Sequence, residues 1–329
     1  MVLTNKRLQK TLDELDWIKA FYKEHFAVKK KPFPSGYDEK LRSELRAVME
    51  RINTDVDKAA EPLVVSDKGP GAPAKDRVLL TKLLLIQVLF EFTNREMECF
   101  SLIFLLKGVD YYSYKSIERA FEDPVVEMIL HNLFVLSTGE PRKVNGSGDG
   151  TGIALSVTKY YRKEREEDLK EEKETSKRKG FLFSVALLDI DTNLYIGYAA
   201  GFKCEQKLFD EALSIAKKAG FDFSSMTLDK LYSYQSIFSK FEKNTRIFIL
   251  PKKNATIRGP KEWKELLKNL ITDPFGFLTQ HYQREKSEAN FSRDKRRFGI
   301  IRQRIPERQI TTALTRAILH NFSMKHLYG

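Results

Sequence analysis

The chain has 329 residues, which is enough for one large domain or two moderate ones around a substantial core. Hydrophobic residues make up 42% of the sequence and aromatic residues 12%, a composition that excludes an intrinsically disordered protein. There are 57 lysines and arginines against 45 aspartates and glutamates, a net charge of +12. This excess indicates a polyanionic partner, with nucleic acid as the first candidate and an anionic membrane surface as the second.

The sequence does not have the pattern of a secreted, zinc-binding or membrane-spanning protein. Its two cysteines, Cys99 and Cys204, cannot form a disulfide framework, and no Cys/His pair has zinc-ligand spacing. The N-terminal stretch lacks an apolar signal core, and the longest apolar run is interrupted by Lys82 and Gln87. We therefore expect no membrane partner and a cytoplasmic, reducing location.

Residues 1–140 are predicted to form an all-helical N-terminal region. A Gly/Pro-rich linker near 66–76 divides it, because neither a helix nor a paired strand is expected there. The helical stretches are residues 8–26, 37–56, 77–107 and 113–137. Ser113 or Ser116 is expected to cap the last stretch, which Pro124 interrupts or restarts. This region is expected to bind DNA ends or to form a dimer contact.

Residues 141–329 are predicted to form an α/β domain. The expected order is strand, strand, strand, helix, strand, helix, strand, helix. A highly charged segment, residues 159–179, is expected to be a solvated excursion between the first two strands. Its beginning combines cations with aromatic rings, so Lys159, Tyr160 and Arg162 are candidate nucleic-acid contacts.

Three acids fall at the ends of predicted elements near one edge of the sheet. Asp149 lies on or just before the first strand, Asp229 ends the fourth strand, and Glu288 lies on the last helix. Carboxylate oxygens are hard ligands that suit Mg²⁺ or Mn²⁺. Each acid also has a simpler interpretation: Asp149 as a turn residue among glycines, Asp229 as a helix N-cap, and Glu288 replaced at the site by Glu285.

The stretch 281–297 has a helical period of its own. Arg284, Glu288, Phe291 and Lys295 follow one another at steps of four, three and four, so they share one helix face. That face carries one carboxylate between two cations. Taken alone, it fits either a surface helix with intrahelical ion pairs or a helix that meets a metal ion and a phosphate chain. Phe291 is expected to be a core contact.

Three blocks of the sequence resemble the DDE-type transposases of prokaryotic insertion sequences, a group with a ribonuclease-H-like core. They are the first-acid block GDGTGIALSVTKYY, the second-acid block SSMTLDKLYSY, and YQREKSEANFSRDK, which is similar to the group's Tyr-Arg-Glu-Lys signature. Tyr282 is one residue closer to Arg284 than in the group. On a helix this shift moves the ring by ~100° and puts His281 on the stripe instead. The resemblance covers residues 144–329 well and 1–60 hardly at all.

The resemblance implies a ribonuclease-H-like mixed sheet flanked by helices and a metal-dependent transposase that cleaves transposon ends and transfers strands to target DNA. Asp149, Asp229 and Glu288 would be the catalytic ligands of two Mg²⁺ or Mn²⁺ ions, while Arg284 and Lys295 would hold phosphates. Cations that would cover the neighbouring DNA are Lys295, Arg296, Arg297, Arg302, Arg304 and Arg308. The implied partners are double-stranded DNA and a second copy of the chain, at the nucleoid of a prokaryotic cell.

Two other functions remain open at this point. One is a ribonuclease-H-like DNA nuclease that uses the same acids without strand transfer. The other is a catalytically silent, transposase-derived DNA-binding protein. Recognition of particular DNA ends is expected from the helical region near residues 113–119, since phosphate contacts carry little sequence information.

Overall fold

The computed structural model describes residues 3–26, 36–63, 75–105, 111–156 and 180–328, which form eleven α-helices and five β-strands. The helices are α1 (Asn5–Phe26), α2 (Tyr37–Ala60), α3 (Arg77–Leu89), α4 (Asn94–Leu105), α5 (Tyr114–Ala120), α6 (Pro124–Ser137), α7 (Glu205–Lys218), α8 (Lys261–Thr272), α9 (Pro274–His281), α10 (Glu285–Phe298) and α11 (Pro306–Tyr328). The strands are β1 (Lys143–Ala154), β2 (Phe181–Asp189), β3 (Tyr195–Gly201), β4 (Asp222–Leu228) and β5 (Arg246–Ile249). Three 3₁₀ turns span Lys230–Tyr232, Gln235–Lys240 and Tyr282–Arg284.

The five strands form one mixed sheet in the order β3-β2-β1-β4-β5. The first three strands are antiparallel neighbours, whereas β4 and β5 run parallel to β1. Helices pack on both faces, so the predicted α/β class with a ribonuclease-H-like mixed sheet is confirmed. In the parallel register Gly148 lies opposite Leu228, the last residue of β4. The next residue on each strand is an acid, Asp149 on β1 and Asp229 after β4.

Local sequence signals set the starts of several helices. Asp76 caps α3 by accepting hydrogen bonds from two backbone amides of the first turn. Ser113 caps α5, as predicted, by accepting from the amide of Ser116 at 3.4 Å. Asp123 caps α6, and Pro124 occupies its first turn, where the missing amide proton costs nothing. Pro124 therefore starts a new helix.

Two hydrophobic cores lie on opposite sides of the sheet. The first is formed by α2, α3, α5 and α6 together with one sheet face, α10 and α11. The second contains α1, α7, α8 and α9 with the other sheet face. Apolar contacts thus cross residue 140 in both directions, because α1 packs with the C-terminal elements and α11 packs against α2 and α6. The division into residues 1–140 and 141–329 stays a prediction.

Several elements differ from the sequence-based expectation. Residues 281–297 were expected to be one helix, but a 3₁₀ turn, Tyr282–Arg284, separates α9 from α10. Its tighter winding changes the angular positions of its residues relative to an ideal α-helix. The helix expected after Asp229 is reduced to short 3₁₀ turns, and the long α11 was not anticipated.

Some of the predicted features fall on residues without a structural description. Lys159, Tyr160 and Arg162 lie outside the described residues, as do most of the 66–76 linker and all of the charged segment up to residue 179. Among the helices that the structure does describe, none is both long enough and apolar enough to cross a membrane.

Candidate active site

One face of β1 is polar along its length. Ser147, Asp149 and Thr151 alternate with glycines, and their side chains face the segment from the third 3₁₀ turn through α10. Ser147 and Ser287 share a hydrogen bond of 2.8 Å between their hydroxyl oxygens. This buried contact fixes the start of α10 over the middle of β1, which places the acid of β1 beneath that helix.

Asp149 is a strand residue, not a turn residue. It pairs with Ala186 of β2 in the antiparallel register and is 9% exposed. The glycines around it allow α7 to pack closely on the opposite face of the sheet. A Cβ atom on Gly148 would lie 2.7 Å from a methyl carbon of Leu228, and one on Gly150 would lie 2.7 Å from the carboxyl group of Glu205.

Asp229 is both a cap residue and a member of the acidic group, the two roles that its sequence position allowed. Its Oδ1 atom accepts a hydrogen bond of 2.9 Å from the amide of Leu231 and so caps the 3₁₀ turn after β4. Its Oδ2 atom lies 3.5 Å from the guanidinium of Arg284. The cap therefore directs the free oxygen of the carboxylate toward the same point as Asp149.

Glu288 completes the group from the first turn of α10. Its Oε1 atom lies 2.5 Å from Nη2 of Arg284, one helical turn earlier. Glu288 has a side chain that is 52% exposed, compared with 12% for Asp149 and 32% for Asp229. Glu285 is exposed and lies outside this group. The structure thus places Glu288, rather than Glu285, beside the two aspartates.

Arg284 is the common partner of the three acids. In addition to its contacts with Asp229 and Glu288, its Nη1 atom lies 3.3 Å from Oδ2 of Asp149. Burial raises the pKa of Asp149 to about 6, although Arg284 acts in the opposite direction. The neighbouring carboxylates of Glu288 and Asp229 raise this pKa further. One guanidinium therefore does not compensate three carboxylates, and the site carries an excess of negative charge.

The cationic side chains in the C-terminal half of α10 point in different directions. Lys295 is exposed and donates to Oγ1 of Thr151 at 2.5 Å, on the same face of β1 as Asp149. Arg296 is exposed. Arg297 points inward, where its Nη1 atom lies 2.6 Å from Glu44 of α2. Further along, Arg308 is held by two glutamates of the α5 region, at 2.6 and 2.9 Å. In this half of the helix, Lys295 therefore lies on the β1 face of Asp149, and Arg296 is the neighbouring exposed cation.

His281 and Tyr282 do not lie on the exposed side of the site. The His281 ring is 5% exposed, with Nδ1 3.5 Å from the backbone oxygen of Phe248. Burial lowers the pKa of His281 to about 4, so its ring is neutral at physiological pH. Tyr282 is half-buried and stacks on Tyr22 of α1, with ring centroids 5.0 Å apart. Both rings anchor the 3₁₀ turn that carries Arg284.

The donor set of this group suits a hard divalent cation, because all three groups that meet at Arg284 are carboxylates with surplus negative charge. As they stand, however, no three His, Cys, Asp or Glu side chains of the described residues are grouped so that they could hold a metal ion. The guanidinium of Arg284 lies between the acids. Bound ions would require it to move.

Comparison with known proteins adds a relative that is similar over almost the whole chain. No protein-family model matches the sequence. The chain is 33% identical over 329 residues to the probable transposase for insertion sequence element ISA1214 of Archaeoglobus fulgidus, a match that covers 97% of this chain and 96% of that protein. The protein belongs to the insertion-sequence transposases. This agrees with the resemblance of the three sequence blocks, and it extends to the N-terminal helices, where the blocks gave no indication.

In this transposase, α10 is held in place by aromatic packing and hydrogen bonds on its buried side. Phe291 is 7% exposed and packs on Tyr195 of β3, as predicted, with ring centroids 5.9 Å apart. The hydroxyl of Tyr195 donates to Asp294 at 2.8 Å, and Nδ1 of His320 lies 2.8 Å from the other oxygen of Asp294. Arg316 donates to the backbone oxygens at the end of α10, for example Phe298 at 2.6 Å.

Three residues of the candidate site were not predicted from the sequence. Thr151 receives the Lys295 amine, and Ser147 and Ser287 join β1 to α10. A signal for the first two was present, because Ser147, Asp149 and Thr151 are spaced by two and must share one face of a strand. Ser287 had no such signal, because its partner lies 140 residues away.

Proposed function

We propose that this transposase cleaves DNA strands at the ends of its element and joins the released ends to target DNA. The observation that carries the proposal is the convergence of Asp149, Asp229 and Glu288 on one guanidinium, from three separate elements of the sheet and its covering helix. A structural ion pair needs one carboxylate. Three around one arginine leave net negative charge at a half-open site, which is costly unless cations or phosphates complete it.

The three carboxylates would hold Mg²⁺ or Mn²⁺ ions, two in number for a phosphodiester reaction. Such ions, when bound, activate an oxygen nucleophile and stabilise the leaving oxygen of a phosphodiester. Asp149 would supply the buried, fixed ligand, and Glu288, on the exposed helix turn, the more adaptable one. Asp229 contributes its Oδ2 atom while Oδ1 stays bound to the amide of Leu231.

Arg284 would change partners during assembly of the site. In the described structure it compensates the acids, and with cations held by those acids its guanidinium would be available for a DNA phosphate. Guanidinium groups bind phosphate through paired hydrogen bonds, and positive charge next to the transferring phosphoryl group stabilises the transition state. Lys295 and Arg296 lie further along the same helix and would hold the adjoining backbone.

Double-stranded DNA is the proposed partner, both as element ends and as target. The net charge of +12 supports a polyanionic partner, and such binding is expected to weaken steeply with salt. A homodimer on paired ends is proposed as the active form, since two ends must be joined to one target. Phosphate binding on α10 is proposed for Lys295 and Arg296 in preference to Arg297, whose side chain is paired with Glu44.

The test is a strand-transfer assay with the full-length protein. An oligonucleotide that carries the inverted repeat next to the gene is mixed with a supercoiled target plasmid and Mg²⁺ or Mn²⁺. Cleaved ends and joined products are both expected, and Asp149→Asn should yield neither. Cleavage without joining would favour the nuclease alternative, and binding without either product would favour a catalytically silent DNA-binding protein.

A further inference from the structure

Glu205, the first residue of α7, lies on the sheet face opposite the three acids. Its carboxyl group packs directly against the backbone of β1 at Gly150, where a Cβ atom would lie 2.7 Å from both its carboxyl carbon and its Oε1 atom. The amide of Gly150 in turn donates to Oδ1 of Asp149 at 3.0 Å. Glu205 thus touches the residue that immediately follows the most buried acid of the site. Its place in the first turn of a helix is electrostatically favourable for a carboxylate.

Tyr232 connects the same carboxyl group to the second acid. It lies three residues after Asp229, at the end of the 3₁₀ turn that this aspartate caps, and it is 1% exposed. Its hydroxyl donates to Oε1 of Glu205 at 2.9 Å, and its ring packs on Phe209 of α7 with centroids 4.7 Å apart. Burial raises the pKa of Tyr232, so the hydroxyl stays protonated and remains a donor.

This connection matters because backbone pairing does not extend to Asp229. The paired part of β4 ends at Leu228 on both sides, opposite Gly148 of β1 and Ile249 of β5. Asp229 is the first residue beyond this pairing, so the register brings it near Asp149 and the contacts of the following turn adjust its final position. Among the described residues, the Tyr232 hydroxyl bonded to Glu205 joins the turn to the strand of Asp149 on the α7 side of the sheet.

We infer that Glu205 and Tyr232 are positioning residues that set the distance between Asp149 and Asp229. The inference rests on the proposed function, in which this distance allows the two carboxylates to bind the same cations. It also explains the residue at position 150: a side chain there would displace the Glu205 carboxyl group and with it the hydroxyl of Tyr232. Neither residue touches DNA or reacting atoms in this scheme.

The experiment compares variants of the full-length protein by Mn²⁺ binding, measured calorimetrically without DNA. Tyr232→Phe keeps the buried ring and removes one hydroxyl, and we expect Mn²⁺ to bind about tenfold more weakly, the low end of the loss seen when support around metal ligands is removed. Glu205→Ala should show the same loss, and the double variant no more than either single one. Glu205→Gln retains an acceptor oxygen and should bind Mn²⁺ as the wild type does.

Thermal unfolding and DNA affinity without metal provide the control for folding, since a positioning defect should leave both close to wild type. Wild-type Mn²⁺ affinity in Tyr232→Phe and Glu205→Ala would overturn the inference. If Asp149→Asn also binds Mn²⁺ normally, the proposed function fails instead, and a crystal structure of Tyr232→Phe then decides about positioning. In that variant structure, the 3.5 Å contact between Arg284 and Asp229 should be lost while the contact between Arg284 and Asp149 remains. Unchanged distances would contradict the inference.

Discussion

The guanidinium of Arg284 lies 3.3 Å from the carboxylate of Asp149, although 135 residues separate them in the chain. The same guanidinium reaches Asp229 and Glu288, so the arginine holds together three acids that would otherwise repel one another. A cation of the chain itself thus occupies the centre of a site whose ligands suit a divalent metal ion. The first predictions concern this exchange of partners.

Removal of one charge from either aspartate should abolish catalysis without unfolding the protein. Asp149→Asn and Asp229→Asn keep the side-chain shape, and we expect strand cleavage to fall by on the order of 10³-fold or more, since several kcal/mol of charge stabilisation is lost. The measurement is the single-turnover cleavage rate on an end oligonucleotide. Asp222→Asn, at the exposed start of β4, is the matched control and should retain the wild-type rate.

Replacement of Arg284 should separate metal binding from catalysis. With Arg284→Gln, the competing positive charge is gone, and we expect Mn²⁺ to bind the DNA-free protein about tenfold more tightly at pH 8. Cleavage should nevertheless be lost, because the phosphate loses its guanidinium partner. Weaker Mn²⁺ binding in this variant would mean that the arginine organises the acids for the metal and does not compete with it.

The raised pKa of Asp149 predicts a pH-dependent stability difference. The folded-state pKa is about 6, above the ordinary value of 3.8, so the stability associated with this carboxyl group is present below 3.8 and is lost as the pH rises through about 6. The difference of about 2 units corresponds to roughly 3 kcal/mol. In metal-free buffer, Asp149→Asn should therefore be more stable than wild type toward urea at pH 7.5, by about 1–3 kcal/mol.

At pH 3.5 most of that advantage should disappear, because the wild-type carboxyl group is then neutral in the folded state and mostly neutral in the unfolded state. The exposed Asp222→Asn variant should show no such pH dependence. An equal effect of Asp149→Asn at both pH values would show that the side chain acts through packing and not through its charge.

Two neighbouring arginines of α10 should give opposite results. Arg296 is exposed, and Arg296→Gln should reduce the slope of log affinity against log salt concentration by about 1, with little change in melting temperature. Arg297 is paired with the buried Glu44, so Arg297→Gln should leave the slope unchanged and cost about 1–3 kcal/mol of stability. Fluorescence anisotropy across a salt series and urea unfolding measure the two effects. A reduced slope in Arg297→Gln would show that its pairing with Glu44 is broken on DNA.

The sequence was sufficient to predict that the acids meet, since this follows from element order and periodicity. Asp149 was predicted on or just before the first strand and Asp229 at the end of the fourth, near one edge of the sheet. The four-three-four spacing from Arg284 to Lys295 places those side chains on one helix face. The structure has both features. These are local regularities that a single chain displays without knowledge of its tertiary contacts.

The orientation of a side chain could not be predicted where it depends on a partner far away in the sequence. Nothing in the local sequence distinguishes Arg296 from Arg297, because the partner of Arg297 is a glutamate of α2. The inward orientation of His281 follows from a 3₁₀ turn whose winding differs from the assumed α-helix. Similarly, the amphipathic pattern of α1 predicted a buried face but not that it would pack beside α8 and α9.

The packing of α11 against α2 and α6 has a genetic consequence. Its buried residues, among them Ala317, Ile318 and Phe322, belong to the same core as α2, which comes much earlier in the sequence. A copy of the element with a frameshift before residue 306 would encode a chain whose N-terminal helices lack this packing surface. Such truncated products are expected to be degraded and not to accumulate as folded inhibitors, so that a damaged copy of the element falls silent without interfering with its intact relatives.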